Sequence, residues 1–426
     1  MHGIHWLIVP WLAGLVLAVP GSAVVQARPP NIVVLLADDL GWGDLERHGG
    51  PARTPAIDRL AAEGVELHRC YAHPVCSPTR AALLTGCLPR RFGIDRPLGR
   101  RDPGLPAGLP TLPRTLSAAG YATNLVGKWH LGTSSPPLTS GFDHFYGFLG
   151  PEIDSFTHLD RRGDLDWQRD ETPVEEQGYA AILMTDEAVR IIQRCDADRP
   201  FYLQVAFNVP HFPILAPAAS TAKYAGLPEP QATRCGMIDV LDTSVARVLA
   251  ALDARGLAEE TIVLFLSDNG ADRSGSNAPF RARKATVYEG GIRVPAIVRF
   301  PGRLPAATVS EQPIAIQDGG CCDTQAKLRS HDTSRIAWAK LMARVGEEFP
   351  LQCPACGGDI RLIAFITEPG PIRKILTHLG EPLEPPPVSP ARGPPTAWGE
   401  LVQMHDDREA VQVSPDELPA IDIHSL

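Results

Sequence analysis

The first clear pattern along the chain is Asn31-Ile-Val-Val-Leu-Leu-Ala37, an unbroken apolar run rich in branched residues. Such a run suits a central parallel strand buried on both faces. It halts at Asp38-Asp39. Thr54 as N-cap, Pro55 at the first helical position, Ile57, Leu60 and Ala61 at helical spacing and Gly64 behind them predict a helix, with a strand over residues 65–71 after it. The alternation continues with a helix over 112–119 closed by Gly120, a strand over 121–126, a helix over 179–194 and a strand over 201–207. A helix over 236–252 and strands over 261–266 and 294–299 complete it. This order predicts an α/β fold with a mainly parallel central sheet flanked by helices. Ligands of such sheets bind at the carboxyl ends of the strands, so the polar residues there are the first candidates for function.

Asp38 and Asp39 end the first strand, and Asp268-Asn269 follow the strand over 261–266. Four oxygen-bearing side chains from two strand ends suit a hard cation, calcium or magnesium, rather than zinc. Each pair by itself equally suits a cap or a turn. In Cys76-Ser77-Pro78-Thr79-Arg80, Ser77 as N-cap and Pro78 at the first helical position predict a helix that runs through Leu84. Cys76 then stands just ahead of a helix N-terminus, where backbone amides and the helix dipole favour an anion.

Composition narrows the reading. With 426 residues and 44% hydrophobic side chains, the chain buries a large core and has room for more than one structural unit. A net charge of −9 argues against a protein that tracks nucleic-acid phosphates, so no nucleic-acid partner is expected. Residues 1–27 read as a secretory signal peptide: the apolar run over 6–19 is short for a membrane span, and Gly21/Ala23 or Val25/Ala27 suit cleavage. The expectation is a secreted or periplasmic protein with no membrane segment after that cleavage. An uncleaved anchor is the alternative, because a basic stretch before the apolar run is missing. Nine cysteines, an odd count for an exported chain, require that at least one thiol have a role outside a disulfide.

Cys76-Ser77-Pro78-Thr79-Arg80 resembles the Cys-x-Pro-x-Arg signature of the type I sulfatases, in which the cysteine is oxidised to formylglycine. The resemblance extends through Leu84-Thr85-Gly86, Asp38-Asp39-Leu40-Gly41-Trp42-Gly43-Asp44, Gly127-Lys128-Trp129-His130-Leu131-Gly132 and Pro210-His211. It continues in Ser267-Asp268-Asn269-Gly270, and in Lys284 with Tyr288-Glu289-Gly290-Gly291-Ile292-Arg293-Val294-Pro295. The motifs stand in the family's order. The resemblance implies an arylsulfatase-like catalytic core over residues 28–318 with an alkaline-phosphatase-like fold.

It further implies that Asp38, Asp39, Asp268 and Asn269 hold the cation, most often calcium in this family, with modified Cys76 completing the sphere. Arg80 would fix the formylglycine, while Lys128, His130, His211 and Lys284 surround the sulfate and the leaving oxygen. One more family contact, a polar side chain after Gly147, has three candidates: Asp154, Ser155 and His158. In the family mechanism a hydroxyl of hydrated formylglycine attacks sulfur and His211 or Lys284 helps protonate the departing alcohol. The implied partners are a sulfated small molecule or carbohydrate as substrate and a formylglycine-generating enzyme for maturation. Phosphoester or phosphonate hydrolysis in the same superfamily and an inactive remnant are the competing readings.

The resemblance stops after Asp318, and the family's usual C-terminal antiparallel subdomain is not legible. Residues 351–367 and 372–380 with the proline-rich stretch after them resemble instead the C-terminal part of an insertion-sequence transposase, so 319–426 is expected to be an unrelated, largely irregular or disordered tail. Cys353 and Cys356 make a single knuckle, two ligands short of a structural zinc site unless Cys321, Cys322 or His331 joins them. The proline-dense stretch over 384–395 reads as extended or disordered. If 319–426 is such an appendage, limited proteolysis removes it well before the core is cut; a tail as resistant as the core contradicts that division.

Overall fold

The computed structural model describes residues 29–316. The expected signal peptide (1–27) and transposase-like tail (319–426) lie outside them. The strands are β1 (Asn31–Ala37), β2 (Val65–Leu67), β3 (Cys70–Tyr71), β4 (Ala122–Lys128), β5 (His144–Phe148), β6 (Gln168–Arg169) and β7 (Thr172–Pro173). They continue with β8 (Phe201–Ala206), β9 (Thr261–Ser267), β10 (Arg293–Val294), β11 (Ala296–Arg299), β12 (Thr308–Ser310) and β13 (Ile314–Ala315). The α-helices are α1 (Pro55–Ala62), α2 (Cys76–Thr85), α3 (Leu112–Ala118), α4 (Ala180–Arg194), α5 (Ala218–Thr221), α6 (Gln231–Ala254) and α7 (Glu289–Ile292).

One ten-stranded sheet runs in the order β12-β2-β11-β9-β1-β8-β4-β5-β6-β7. Its centre, β9-β1-β8-β4-β5, is parallel, and antiparallel pairs extend it at both sides. The apolar run of β1 therefore has the place its composition predicts: Val33 and Leu35 pack into one core layer, and Val34 and Leu36 into the other. The first layer takes residues of α1, α4 and α6, and the second takes Ala81 and Leu84 of α2. Strand register sets the height at which polar residues leave the sheet. Ala37 pairs with Ser267, so Asp38 and Asp268 leave adjacent strands at the same height.

Several element boundaries differ from the expectation, each for a local reason. The strand expected over 65–71 divides: β2 joins the main sheet, and β3 joins a separate three-stranded sheet with β10 and β13. Pro295, with no N–H to donate, separates β10 from β11 in the same way. The helix expected from Gly236 starts at Gln231. Gly236 marks a close approach, not a boundary, since a Cβ there would lie 2.9 Å from the Thr221 amide nitrogen. Thr54 does precede α1, but its hydroxyl accepts from the Glu46 N–H, and the Asp242 carboxylate of α6 accepts from the Ala56 and Ile57 amides instead. Among the described residues, no helix is long and apolar enough to cross a membrane.

The loop that leaves β1 is anchored by Glu66 of β2. Its carboxylate takes the Nε and Nη2 of Arg47 at 3.2 and 2.8 Å and the Nε2 of His48 at 2.6 Å, while His48 stacks on Trp42 at 4.1 Å. Burial alone would raise the Glu66 carboxyl, but the bonds from His48 and Arg47 outweigh it and lower it from 4.5 to about 2. A depressed acid contributes stability above its unfolded value and loses it as pH falls toward its folded value. Glu66→Gln is therefore expected to melt below the unsubstituted chain at neutral pH, with the gap closing as pH drops from 4.5 to about 2. A gap in melting temperature that stays constant through that window contradicts the assignment.

Candidate active site

Four adjacent strands, β9, β1, β8 and β4, deliver their carboxyl ends to one place. β1 supplies Asp38 and Asp39, β9 supplies Asp268 and Asn269, β4 ends in Lys128 with His130 two residues on, and the loop after β8 carries His211. The first turn of α2 adds Cys76 and Arg80. Lys284 arrives on a loop tied down at both sides, its own N–H on the Ala271 carbonyl at 3.0 Å and the Ala285 N–H on the Pro74 carbonyl at 2.8 Å. The residues expected from sequence around the cation, Cys76 and the sulfate thus meet at the sheet's carboxyl edge.

Helix α2 starts earlier than expected. Val75 is the N-cap and Cys76 the first helical residue, while Ser77 is buried inside the helix and its hydroxyl accepts from the Leu98 N–H at 2.9 Å. Ser77 holds the cleft wall and does not cap. The Cys76 Sγ lies 3.5 Å from Asp38 Oδ1, 3.8 Å from Asp39 Oδ1 and 3.2 Å from Lys284 Nζ. Burial, then the charges of Asp268 and Asp38, push its thiol well above the ordinary range in spite of Lys128 and Lys284. The sulfur is thus held as a thiol, a weak nucleophile.

The carboxylates are compensated in pairs. Lys128 Nζ donates to Asp38 Oδ2 at 2.6 Å, and Lys284 Nζ donates to both oxygens of Asp39 at 2.6 and 2.8 Å. Arg80 donates through Nε and Nη2 to Asp268 Oδ2 at 3.1 and 2.8 Å and through Nη1 to the Lys128 carbonyl at 3.0 Å. Burial raises the Asp38 carboxyl, but Lys128, His211, Arg80 and Lys284 outweigh it and hold that group well below the usual carboxylate range. Asp268 goes the other way, to about 6, because burial and the charge of Asp38 exceed the help from Arg80. Lys284 is raised: burial opposes its charge, but the carboxylates of Asp39 and Asp38 favour it more strongly.

Both site histidines turn one ring nitrogen to a backbone carbonyl. His130 Nε2 faces the Leu98 carbonyl at 2.8 Å, which assigns the proton there and leaves buried Nδ1 without a partner. His211 Nδ1 faces the Phe212 carbonyl at 2.6 Å, and its Nε2 stands 3.8 Å from Asp39 Oδ2. Burial lowers both imidazoles, His130 well below its usual value with Lys128 and Arg80 adding to the effect. Asp39 and His130 both have positive φ, 65° and 56°, a conformation that non-glycine residues rarely hold without outside support.

Ligand atoms of Asp38, Asp39, Cys76 and His211 lie within 4.8 Å of one another. Asn269 adds a buried Oδ1 without a hydrogen-bond partner, while its Nδ2 donates to Asp39 Oδ1 at 2.7 Å. Two carboxylates and an unused amide oxygen fit a metal ion, and replacement of the sulfur by oxygen would make the set one for a hard cation. Asp268 belongs less directly to this cluster, since its Oδ2 is taken by Arg80 and its Oδ1 by the Asp39 N–H at 3.2 Å.

Some residues around this cluster were not legible in the sequence. Arg234 of α6 donates to the Asp39 carbonyl at 2.8 Å, the Pro210 carbonyl at 2.9 Å and the Asp44 carboxylate at 2.8 Å, bracing the carboxylate cluster and the His211 loop together. An arginine at helical spacing reads as surface; only the polar residues beside Asp39 hint at a buried partner. Of the three residues considered for a contact after Gly147, Ser155 bonds Asn208 and His158 stacks on Trp167. The cleft over Cys76 is lined instead by Glu152 and Arg161 from that region.

The sulfatase family model matches residues 30–319. N-acetylgalactosamine-6-sulfatase of Canis lupus familiaris is 38% identical over 343 residues, covering 72% of this chain and 64% of that protein. Arylsulfatase A of Homo sapiens is 35% identical over 343 residues, covering 70% and 64%. The chain therefore spans less than two thirds of the length of these relatives. The crystal structure of Ps i-CgsB in complex with k-i-k-neocarrahexaose matches at a TM-score of 0.65 and 30% identity, over 68% of this chain and 70% of that one. PsFucS1 sulfatase from Pseudoalteromonas sp. matches at 0.60 and 32%, over 69% and 66%. The mainly parallel sheet with flanking helices is the alkaline-phosphatase-like architecture of these neighbours. With the family model covering more than half of its length and every motif around Cys76 inside the match, this chain belongs to the sulfatase family.

Proposed function

We propose that the protein hydrolyses sulfate monoesters, using formylglycine made from Cys76 and a divalent cation held by Asp38, Asp39, Asp268, Asn269 and the modified residue. Calcium is the expected ion, with magnesium as its substitute. The observation that carries this reading is the setting of Cys76, a buried side chain at the first position of α2 that meets Asp38, Asp39 and Lys284 within 3.8 Å. A side chain so placed suits conversion to an oxygen nucleophile better than direct attack by sulfur.

A sulfate ester carries negative charge into the site, and repulsion of any attacking oxygen has to be offset. When bound, the cation would draw charge from the sulfate oxygens while modified Cys76 supplies the attacking hydroxyl. Lys128 and Lys284 stand as fixed positive charges beside that position. Arg80 holds Asp268 and the end of β4, which orients the cation set and the base of Cys76's helix. His130 Nδ1, an acceptor without a partner, suits removal of a hydroxyl proton. His211 and Lys284 both line the cleft, and Lys284, or His211 once it carries a second proton, would pass a proton to the departing alcohol.

The names of the relatives, an amino-sugar sulfatase among them, favour a sulfated carbohydrate or small molecule as substrate. A formylglycine-generating enzyme would mature Cys76, in keeping with export of the chain to the periplasm or beyond after loss of residues 1–27. The family match ends at residue 319, which favours residues 319–426 as a segment of separate origin.

Co-expression with a formylglycine-generating enzyme, followed by turnover of a chromogenic aryl sulfate with calcium, tests the reading. Cys76→Ala is expected to lower the rate by roughly a thousandfold or more, and Lys284→Ala by about a hundredfold. Faster turnover of the matching aryl phosphate would shift the assignment to phosphoester cleavage. A soluble, modified protein with no sulfatase activity, or a Cys76→Ala variant as active as its parent, would refute it.

A further inference from the structure

The cleft that opens over Cys76, of about 320 Å³, carries polar groups that the reaction centre leaves unused. One wall is Pro97, Leu98 and Gly99; the other is Pro151, Glu152 and Arg161. Glu152 is buried, and its Oε1 pairs with Nε of Arg161, whose side chain is 69% exposed. Among the described residues Glu152 is the only polar partner of that guanidinium, so the donors of its two terminal amino groups face no protein acceptor. The guanidinium carbon also lies 5.5 Å from the ring centroid of Phe212, which is half exposed and directly follows His211.

This arrangement selects against a purely apolar alcohol. Such a group would strip water from Glu152 and Arg161 and return no hydrogen bond. An arginine held by an ion pair at Nε and an aromatic face is instead prepared to bind a further oxyanion with its remaining donors. The cleft's volume of about 320 Å³ is enough for a sugar ring.

We propose that Glu152, Arg161 and Phe212 form a subsite for the alcohol half of the substrate, and that it takes a sugar bearing a second oxyanion besides the scissile sulfate. Arg161 binds that oxyanion, Glu152 holds Arg161 and accepts from a sugar hydroxyl, and Phe212 covers an apolar face of the ring. The inference rests on the reading of this cleft as a sulfate-ester site, but its test does not require turnover.

The full chain is titrated calorimetrically with three disaccharides of one skeleton, none carrying the scissile sulfate: one neutral, one with a carboxylate on the distal sugar, one with a sulfate there. At least one anionic form is expected to bind about tenfold more tightly than the neutral form, and the stronger of the two identifies the oxyanion. Arg161→Ala removes the preference, Arg161→Lys keeps part of it, and Phe212→Ala weakens all three alike, with thermal melts verifying that each variant is folded. Equal affinities in the unsubstituted protein, or a preference that survives Arg161→Ala, overturn the proposal. An Arg161-dependent preference without any sulfate-ester turnover leaves the subsite standing and removes the hydrolase reading; turnover without the preference does the reverse.

Discussion

Asp38, Asp39 and Asp268 are all at most 2% exposed, and they converge on a space a few ångströms across. Buried carboxylates this close repel one another and lose their hydration, so each must be matched by a cation or give up its charge. Lys128, Lys284 and Arg80 provide the match, one to each carboxylate. The balance is near neutral without an ion. A divalent cation would leave the site with surplus positive charge, as the binding of an anionic ester would require.

That compensation constrains much of the surrounding backbone. It needs parallel register between β1 and β9 to bring Asp38 beside Asp268, and it needs β4 to end at Lys128 with its carbonyl toward Arg80. Asp39 sits in a left-handed conformation, held through its side chain by Lys284 and Asn269 and through its carbonyl by Arg234. Arg234 in turn links Asp39 to Asp44 and to the His211 loop, so loss of one buried charge would loosen elements far apart in sequence. Breaking such a buried pair typically costs about 3–5 kcal/mol, more than an exposed pair contributes by several times.

How much of this is legible in the sequence depends on the kind of signal each residue leaves. Asp38, Asp39, Asp268 and Asn269 are readable because they break apolar strands at their carboxyl ends, and Cys76 and Arg80 because a compact motif surrounds them. The buried parallel strands are readable from β1's unbroken apolar run, whereas the division between β2 and β3 is not, since a two-residue turn at His68 and Arg69 leaves little mark in the pattern. Gly236 reads as a helix start because glycine's use for close packing and its use at boundaries look alike in sequence. Arg234, Glu152 and Arg161 act through tertiary contacts, the first inside a helix and the others on an irregular loop, where no periodicity points to a role.

Cation binding by the carboxylate cluster is the claim on which the rest depends, and calorimetric titration of the full chain with calcium addresses it without reference to turnover. One calcium per chain is predicted for the protein carrying modified Cys76, with binding abolished in Asp38→Ala and weakened at least about tenfold in Asn269→Ala. No binding, or binding that both substitutions leave intact, would contradict the account and return the cluster to a purely structural role.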